Sequence, residues 1–174
     1  AVKGKMKVPV YDEQGVKDLR TKYMALLGGH VSILQKYGTT FTTASSIEGG
    51  DSPVKNWGGV ALNDFPKAAT LGADAVDERR LRRIACWHCP VGCEATMKEG
   101  TGEYKYAAGS YRPEYETIAM LGSNCLNSNI DSIIMANDIC NRLGIDTISA
   151  GAVIAFAMEC YENGLITKKD TGGI

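Results

Sequence analysis

The residues best equipped for chemistry lie together at Cys86-Trp87-His88-Cys89-Pro90-Val91-Gly92-Cys93, where three of the chain's six cysteines are spaced C-x2-C-x3-C. Cores use free cysteine singly, as a small hydrophobe, so packing does not account for this density. Three thiols on one loop can instead turn towards a point and, as thiolates, bind a soft metal. Pro90 stiffens such a loop, and Gly92 lets its backbone fold tightly around a ligand. A zinc site ordinarily takes four ligands in two spaced pairs, and no second pair is evident. An iron–sulfur cluster with three local cysteines and a remote fourth fits the spacing better. A redox pair or simply buried thiols are the plainer alternatives. Of the other cysteines, Cys140 and Cys160 fall at apolar helical positions and read as core. That leaves Cys125 as the one credible fourth ligand within the chain, and with it a rival class: a structural or electron-transfer module, zinc or iron–sulfur, built on Cys86, Cys89, Cys93 and Cys125.

Composition narrows the setting. With 174 residues, 44% hydrophobic, 7% aromatic and a net charge of −1, the chain suits one domain with a real core. It is not basic enough to suggest nucleic acid as a partner. It has no run of about 18 apolar residues that would make a transmembrane helix, and no secretion signal leads it. Clustered cysteines without such a signal point to a reducing cytoplasm rather than a disulfide scaffold. The chain starts at Ala1 without methionine and stops at Gly172-Gly173-Ile174, which reads as a piece of something longer.

Several elements must carry the loop. Residues 1–11 look polar and extended, with Pro9 excluding helix. Asp12 caps a helix whose Val16, Leu19, Tyr23, Leu26 and Leu27 recur at helical spacing, and a shorter one runs from His30 or Val31 to Tyr37. His30 reads as a capping or surface residue. From Thr39 to Gly72 no period persists and the stretch reads as a long loop, with Trp57 and Phe65 packing part of it. Asp74 to Ile84 reads as helix, acidic at its start and arginine-rich at its end, which suits the helix dipole. Beyond Cys93, Glu94–Lys98 and Glu103–Ala107 alternate across Gly100-Thr101-Gly102 as a hairpin would.

Helices resume at Pro113, a favoured first helical residue, and Ser128 with Asp131 resembles a capping box for the next helix up to Gly144. The last helix, from Thr147 or Ser149 to Asn163, is apolar nearly all round and so predicts burial on every side. The expected fold is mainly α: a multihelical single domain over 1–174 with one small β-hairpin after the cysteine loop. Two joints stand out chemically. At Asn141-Arg142-Leu143-Gly144-Ile145-Asp146-Thr147, Asp146 and free backbone N–H groups sit at a helix start, where they can hold a polar cofactor or merely cap the helix. At Arg112-Pro113-Glu114-Tyr115-Glu116, two carboxylates lie at another helix start and, taken alone, serve its dipole.

The cysteine motif Cys86-x2-Cys89-Pro90-x2-Cys93 is followed in order by Pro113-Glu114-Tyr115-Glu116-Thr117, Leu121-Gly122-Ser123-Asn124-Cys125 and Asn141-x2-Gly144-Ile145-Asp146-Thr147. Together with Lys36-Tyr37-Gly38-Thr39 and Pro53-x2-Asn56 upstream, they resemble the middle domain of the tungsten-containing aldehyde:ferredoxin oxidoreductase family. The resemblance implies tungsten (or molybdenum) held between two pterins, a bis-pterin site, with a 4Fe–4S cluster close by. It implies Cys86, Cys89 and Cys93 as three cluster ligands, the fourth coming from a later domain. The segment Asn141, Gly144, Ile145, Asp146 and Thr147 matches the family's pterin-binding motif D-x-x-G-L-D, with Asn141 and Ile145 departing from it. Asn141 accepts a hydrogen bond but brings no charge. Glu116 matches a glutamate near the metal and is implied as the catalytic acid–base, with a pKa raised by burial. Met135 stands where some members carry a metal-binding glutamate between subunits, so no such site is expected here. Implied too are oxidation of aldehydes to carboxylic acids, electron transfer to ferredoxin or another subunit, and room for a homo-oligomer. A β-rich N-terminal domain and a C-terminal domain are expected outside the chain, without which it should not turn over substrate.

Overall fold

Asp12 opens the first helix as its position predicts: its carboxylate accepts the Gly15 N–H at 2.8 Å, and α1 runs Glu13–Leu26. The computed structural model describes residues 4–173; of the extended N-terminal stretch, residues 1–3 lie outside the described residues. Helix α2, Gly29–Tyr37, follows, and His30 lies exposed within it, edge-on to the Phe41 ring at 5.6 Å.

The stretch expected to be loop is instead a series of single turns. A 3-10 turn at Gly38–Thr42 leads into α3, Thr43–Glu48; α4, Ala61–Asp64, and a second 3-10 turn, Ala68–Leu71, complete it. Elements this short carry no measurable period, yet they place Ile47, Val54, Phe65 and Leu71 in the main core cluster with Val76, Ile118, Ile133 and Ile134. Phe65 packs as expected, whereas Trp57 is 71% exposed.

The helix expected over Asp74 to Ile84 stops early. Only α5, Ala73–Asp77, is helical, and Arg80–Ile84 forms strand β1. Its partner is β2, Glu94–Met97, antiparallel with Arg83 opposite Ala95 and Ile84 opposite Glu94. Residues 103–107 are therefore not the second strand of the hairpin. The chain still doubles back beside β2: Gly100 N–H donates to the Tyr106 carbonyl (2.9 Å), Met97 N–H to that of Ser110 (2.8 Å), and Thr96 bridges to Tyr111. Long-range pairing has overridden local pattern on both sides of the cysteine loop. Arg79 contributes to that outcome, since its guanidinium turns away to grip Asp131 at 2.5 and 2.7 Å and so marks the break between α5 and β1.

Three further helices close the fold: α6 (Tyr115–Leu121), α7 (Ile130–Leu143) and α8 (Thr147–Glu162). Glu114, not Pro113, is the residue that precedes α6. Asn129 caps α7, its side chain accepting the N–H groups of Asp131 (3.0 Å) and Ser132 (3.2 Å), so Ser128 does not form the expected box. Helices α7 and α8 are bent 120° against each other at the Gly144–Asp146 joint. The fold class is as expected, mainly α with one small antiparallel hairpin whose second strand follows the cysteine loop.

Helix α8 departs most from expectation. Only Gly151 and Ala155 are buried, while Val153 (67%) and Phe156 (61%) face outward. Its small residues meet α6: a side chain at Gly151 would stand 2.6 Å from the Met120 backbone. One side of an all-apolar helix is covered and the other is not, because this chain supplies a neighbour on one side only. Among the described residues, no single helix is long and apolar enough to cross a membrane.

Candidate functional site

The cysteine loop, residues 85–93, is the connection between β1 and β2, so the pairing of Ile84 with Glu94 pins both of its ends. Inside it, Cys89 N–H donates to the Cys86 carbonyl at 3.0 Å, and His88 (φ 59°) and Gly92 (φ 61°) turn the backbone left-handed. This curvature aims the Gly92 and Val91 amides at the Cys89 sulfur, which favours its thiolate and lowers its pKa below that of an ordinary thiol. Cys93 moves the other way, raised by burial and by the nearby Glu114 carboxylate. Cys86 is exposed and all three thiols are free. Among the described residues, no group of three or more His, Cys, Asp or Glu is gathered as a finished metal site.

Behind the loop lies a cleft of about 430 Å³ that several segments share. Glu94 enters from β2, Arg112 and Glu114 from the turn into α6, Thr117 from α6, Asn141 from the end of α7 and Thr147 from the start of α8. Three hydrogen bonds fix the arrangement. The Thr117 and Thr147 hydroxyls meet at 2.8 Å, and the Thr39 hydroxyl donates to Glu114 while accepting the Tyr115 N–H at 3.0 Å. The cleft is thus polar and lined from the start of β2, directly after the cysteine loop, from the start of α6, and from the two sides of the α7–α8 joint.

Its electrostatics centre on two carboxylates and a guanidinium. Burial pushes the Glu94 carboxyl up to about 7, and hydrogen-bonded contact with Glu114 adds to the rise. Glu94 can therefore take up or release a proton near neutral pH. Arg112, buried beside them, holds this increase in check.

The expected site residues divide. Asn141 and Thr147 line the cleft. Asp146 caps α8, accepting the Ser149 N–H at 2.7 Å, which holds its carboxyl below the ordinary range. Gly144 ends α7 in the left-handed region, and Ile145, 48% exposed, donates its N–H to the Cys140 carbonyl at 2.9 Å. Glu116 is exposed in the first turn of α6. Cys125 does not join the loop thiols. Its S–H donates to the Met120 carbonyl at 3.3 Å, and burial pushes its pKa up to about 11, so it stays a protonated packing residue.

Residues 16–174 match the family model described as aldehyde ferredoxin oxidoreductase, domains 2 and 3. The chain belongs to the aldehyde ferredoxin oxidoreductase family. It is 37% identical over 99% of its length to a tungsten-containing aldehyde ferredoxin oxidoreductase of Pyrococcus furiosus and 36% identical over 99% to that of Thermococcus kodakarensis. A third relative, described as an aliphatic sulfonate oxidoreductase, WOR-like subunit, of P. furiosus, is 26% identical over 94% of the chain. The chain spans about 28% of the length of the first two and 26% of the third.

In this member of the aldehyde ferredoxin oxidoreductase family, six cleft residues were not read from the sequence as site residues: Tyr111, Thr117, Asn137 and the three charged ones, Glu94, Arg112 and Glu114. Glu94 directly follows the third cysteine, and Arg112 and Glu114 flank Pro113, so each stood beside a motif. What marks them is burial against one another, which spacing along the chain does not encode.

Proposed function

We propose that the chain forms the helical middle domain of a cytoplasmic tungsten (or molybdenum) bis-pterin, iron–sulfur enzyme that oxidises aldehydes to carboxylic acids and passes the electrons to ferredoxin. The observation that carries this reading is one polar cleft lined by Glu94, which directly follows the cysteine loop, by the turn into α6 and its first turn, and by Asn141 and Thr147 on either side of the α7–α8 joint. The names of the relatives supply the metal, the substrate class and the acceptor.

The loop fits a thiolate-bound cluster. Its three cysteines lie on one loop, and backbone N–H groups already favour the charged form of Cys89. Cys86, Cys89 and Cys93 would be three ligands, with the fourth thiolate coming from outside this chain, since Cys125 is protonated and packed. The cleft fits a polar cofactor, as hydroxyl, amide and carboxyl groups face it from four elements. Asn141, Thr147 and the Gly144–Asp146 backbone would hold the pterin side. When bound, the metal and cluster supply the two-electron oxidation and the path for single electrons outward.

The chain's own part is to position and to handle protons. Converting an aldehyde and water to a carboxylic acid releases two electrons and two protons. Glu94, its carboxyl raised to about 7 by burial beside Glu114, is placed to take up and pass on a proton. Glu116, exposed one turn away at the helix start, is the second candidate acid–base. The uncovered face of α8 is where a further domain of the same enzyme would pack.

The test is anaerobic purification of the native gene product, with iron, sulfide, tungsten and molybdenum counted per chain and aldehyde-dependent reduction of a viologen dye followed. Four irons, one tungsten or molybdenum and aldehyde-dependent reduction are expected. A protein carrying zinc alone, inert towards aldehydes, would instead establish the structural metal module.

A further inference from the structure

Arg112 is 3% exposed, a degree of burial that an arginine rarely reaches unless it is paired. Its guanidinium donates from Nη2 to the Cys93 carbonyl and from Nη1 to the Lys36 carbonyl at the end of α2, 3.2 Å away. Its own N–H donates to the Ala95 carbonyl in β2 at 2.9 Å. One residue therefore ties α2, the last residue of the cysteine loop, β2 and the entry to α6. Glu94 and Glu114 act on it as compensating negative charges, without which its burial would be strongly unfavourable.

The room for this side chain is made by Gly38. Its backbone is left-handed (φ 63°), and a Cβ there would stand 2.2 Å from Arg112 Nη2 and 2.7 Å from the Cys93 carbonyl oxygen. The glycine is thus required twice, by conformation and by the arginine pressed against it.

We propose that Arg112 is the positioning residue of the cysteine loop: seated on Gly38, it holds the Cys93 backbone in place and keeps a positive charge beside that end of the loop. The inference rests on the reading of Cys86, Cys89 and Cys93 as cluster ligands. Arg112 acts through Cys93 rather than on substrate. Its planar fork reaches two carbonyls at once, which a lysine cannot reproduce although it restores the charge.

The native gene product, purified anaerobically as wild type, Arg112→Gln, Arg112→Lys and Gly38→Ala, tests this. Iron and sulfide are counted, iron loss to a chelator is timed, and the reduced cluster is followed by electron paramagnetic resonance and redox titration. Circular dichroism reports the fold. Arg112→Gln is expected to lose iron about tenfold faster, as loss of groups that orient metal ligands does. Its remaining cluster should titrate at a more negative potential, because a positive charge that favours the reduced form is gone. Arg112→Lys should recover the potential but not the iron retention. Gly38→Ala should lose iron with the charge still present. If Arg112→Gln does not fold, Arg112→Lys and Gly38→Ala decide. Wild-type iron retention and an unchanged spectrum in those variants would overturn the role, as would iron loss that merely tracks loss of helix. A wild type that holds no cluster would overturn the cluster reading itself, which is a separate result.

Discussion

Thr117 in α6 and Thr147 at the first position of α8 touch hydroxyl to hydroxyl at 2.8 Å, though 30 residues separate them. Both residues line the cleft, and their contact depends on how near α8 can come to α6. That approach is set by Gly151, which has no room for a Cβ against the Met120 backbone.

Gly151→Val should therefore push the two helices apart. Overpacking of this kind costs about 1–3 kcal/mol, and here backbone rather than a flexible side chain must yield. Urea unfolding is expected to show a lower midpoint with an unchanged slope. A midpoint equal to wild type would mean that α8 shifts freely on α6.

The Arg79–Asp131 pair ties the α5–β1 break to the first turn of α7. The Arg79 hydrogen bonds hold the Asp131 carboxyl below its ordinary 3.8, so its contribution to stability is fully present above that pH and is lost as pH falls through the lower folded value. Thermal melts from pH 6 down to about pH 2 should show wild type losing stability more steeply than Asp131→Asn. Parallel curves for the two proteins would remove this pair from the account of acid sensitivity.

Asp146 offers a way to separate capping from cofactor contact. Asp146→Ala should lower the melting temperature, and Asp146→Ser should restore most of it, because a serine hydroxyl also accepts the Ser149 N–H. Both variants should nevertheless lose bound pterin when the native gene product is extracted and its pterin measured by fluorescence. Full pterin in Asp146→Ser would reduce Asp146 to a helix cap.

Cys86→Ala should leave the fold intact. The core cluster around Ile47, Leu71, Ile118, Ile133 and Ile134 contains none of the loop residues, and Cys86 itself is exposed. Surface changes away from such features stay within about 0.5 kcal/mol. Circular dichroism and melting temperature are expected to match wild type. A general loss of helix would show that folding and metal binding are coupled.

Helix starts and stops were largely legible along the chain because they are local events. Asp12, Gly38, Gly144 and Asp146 act on backbone groups within about four residues of themselves, and each does what its type and position dictate. The C-x2-C-x3-C motif is equally local, and with the later motifs in register it points to the family from sequence alone. Tertiary structure alone decided what depends on distant partners. Arg80–Ile84 became a strand because β2 lies beside it, and the thiol of Cys125 left the ligand set because carbonyls of α6 and α8 surround it. Glu94 became the carboxyl poised near neutral pH because the fold buries it and sets Glu114 beside it. Helix α8 shows the converse: its composition demands burial all round, but only a neighbour in space can provide it, and this chain covers one side.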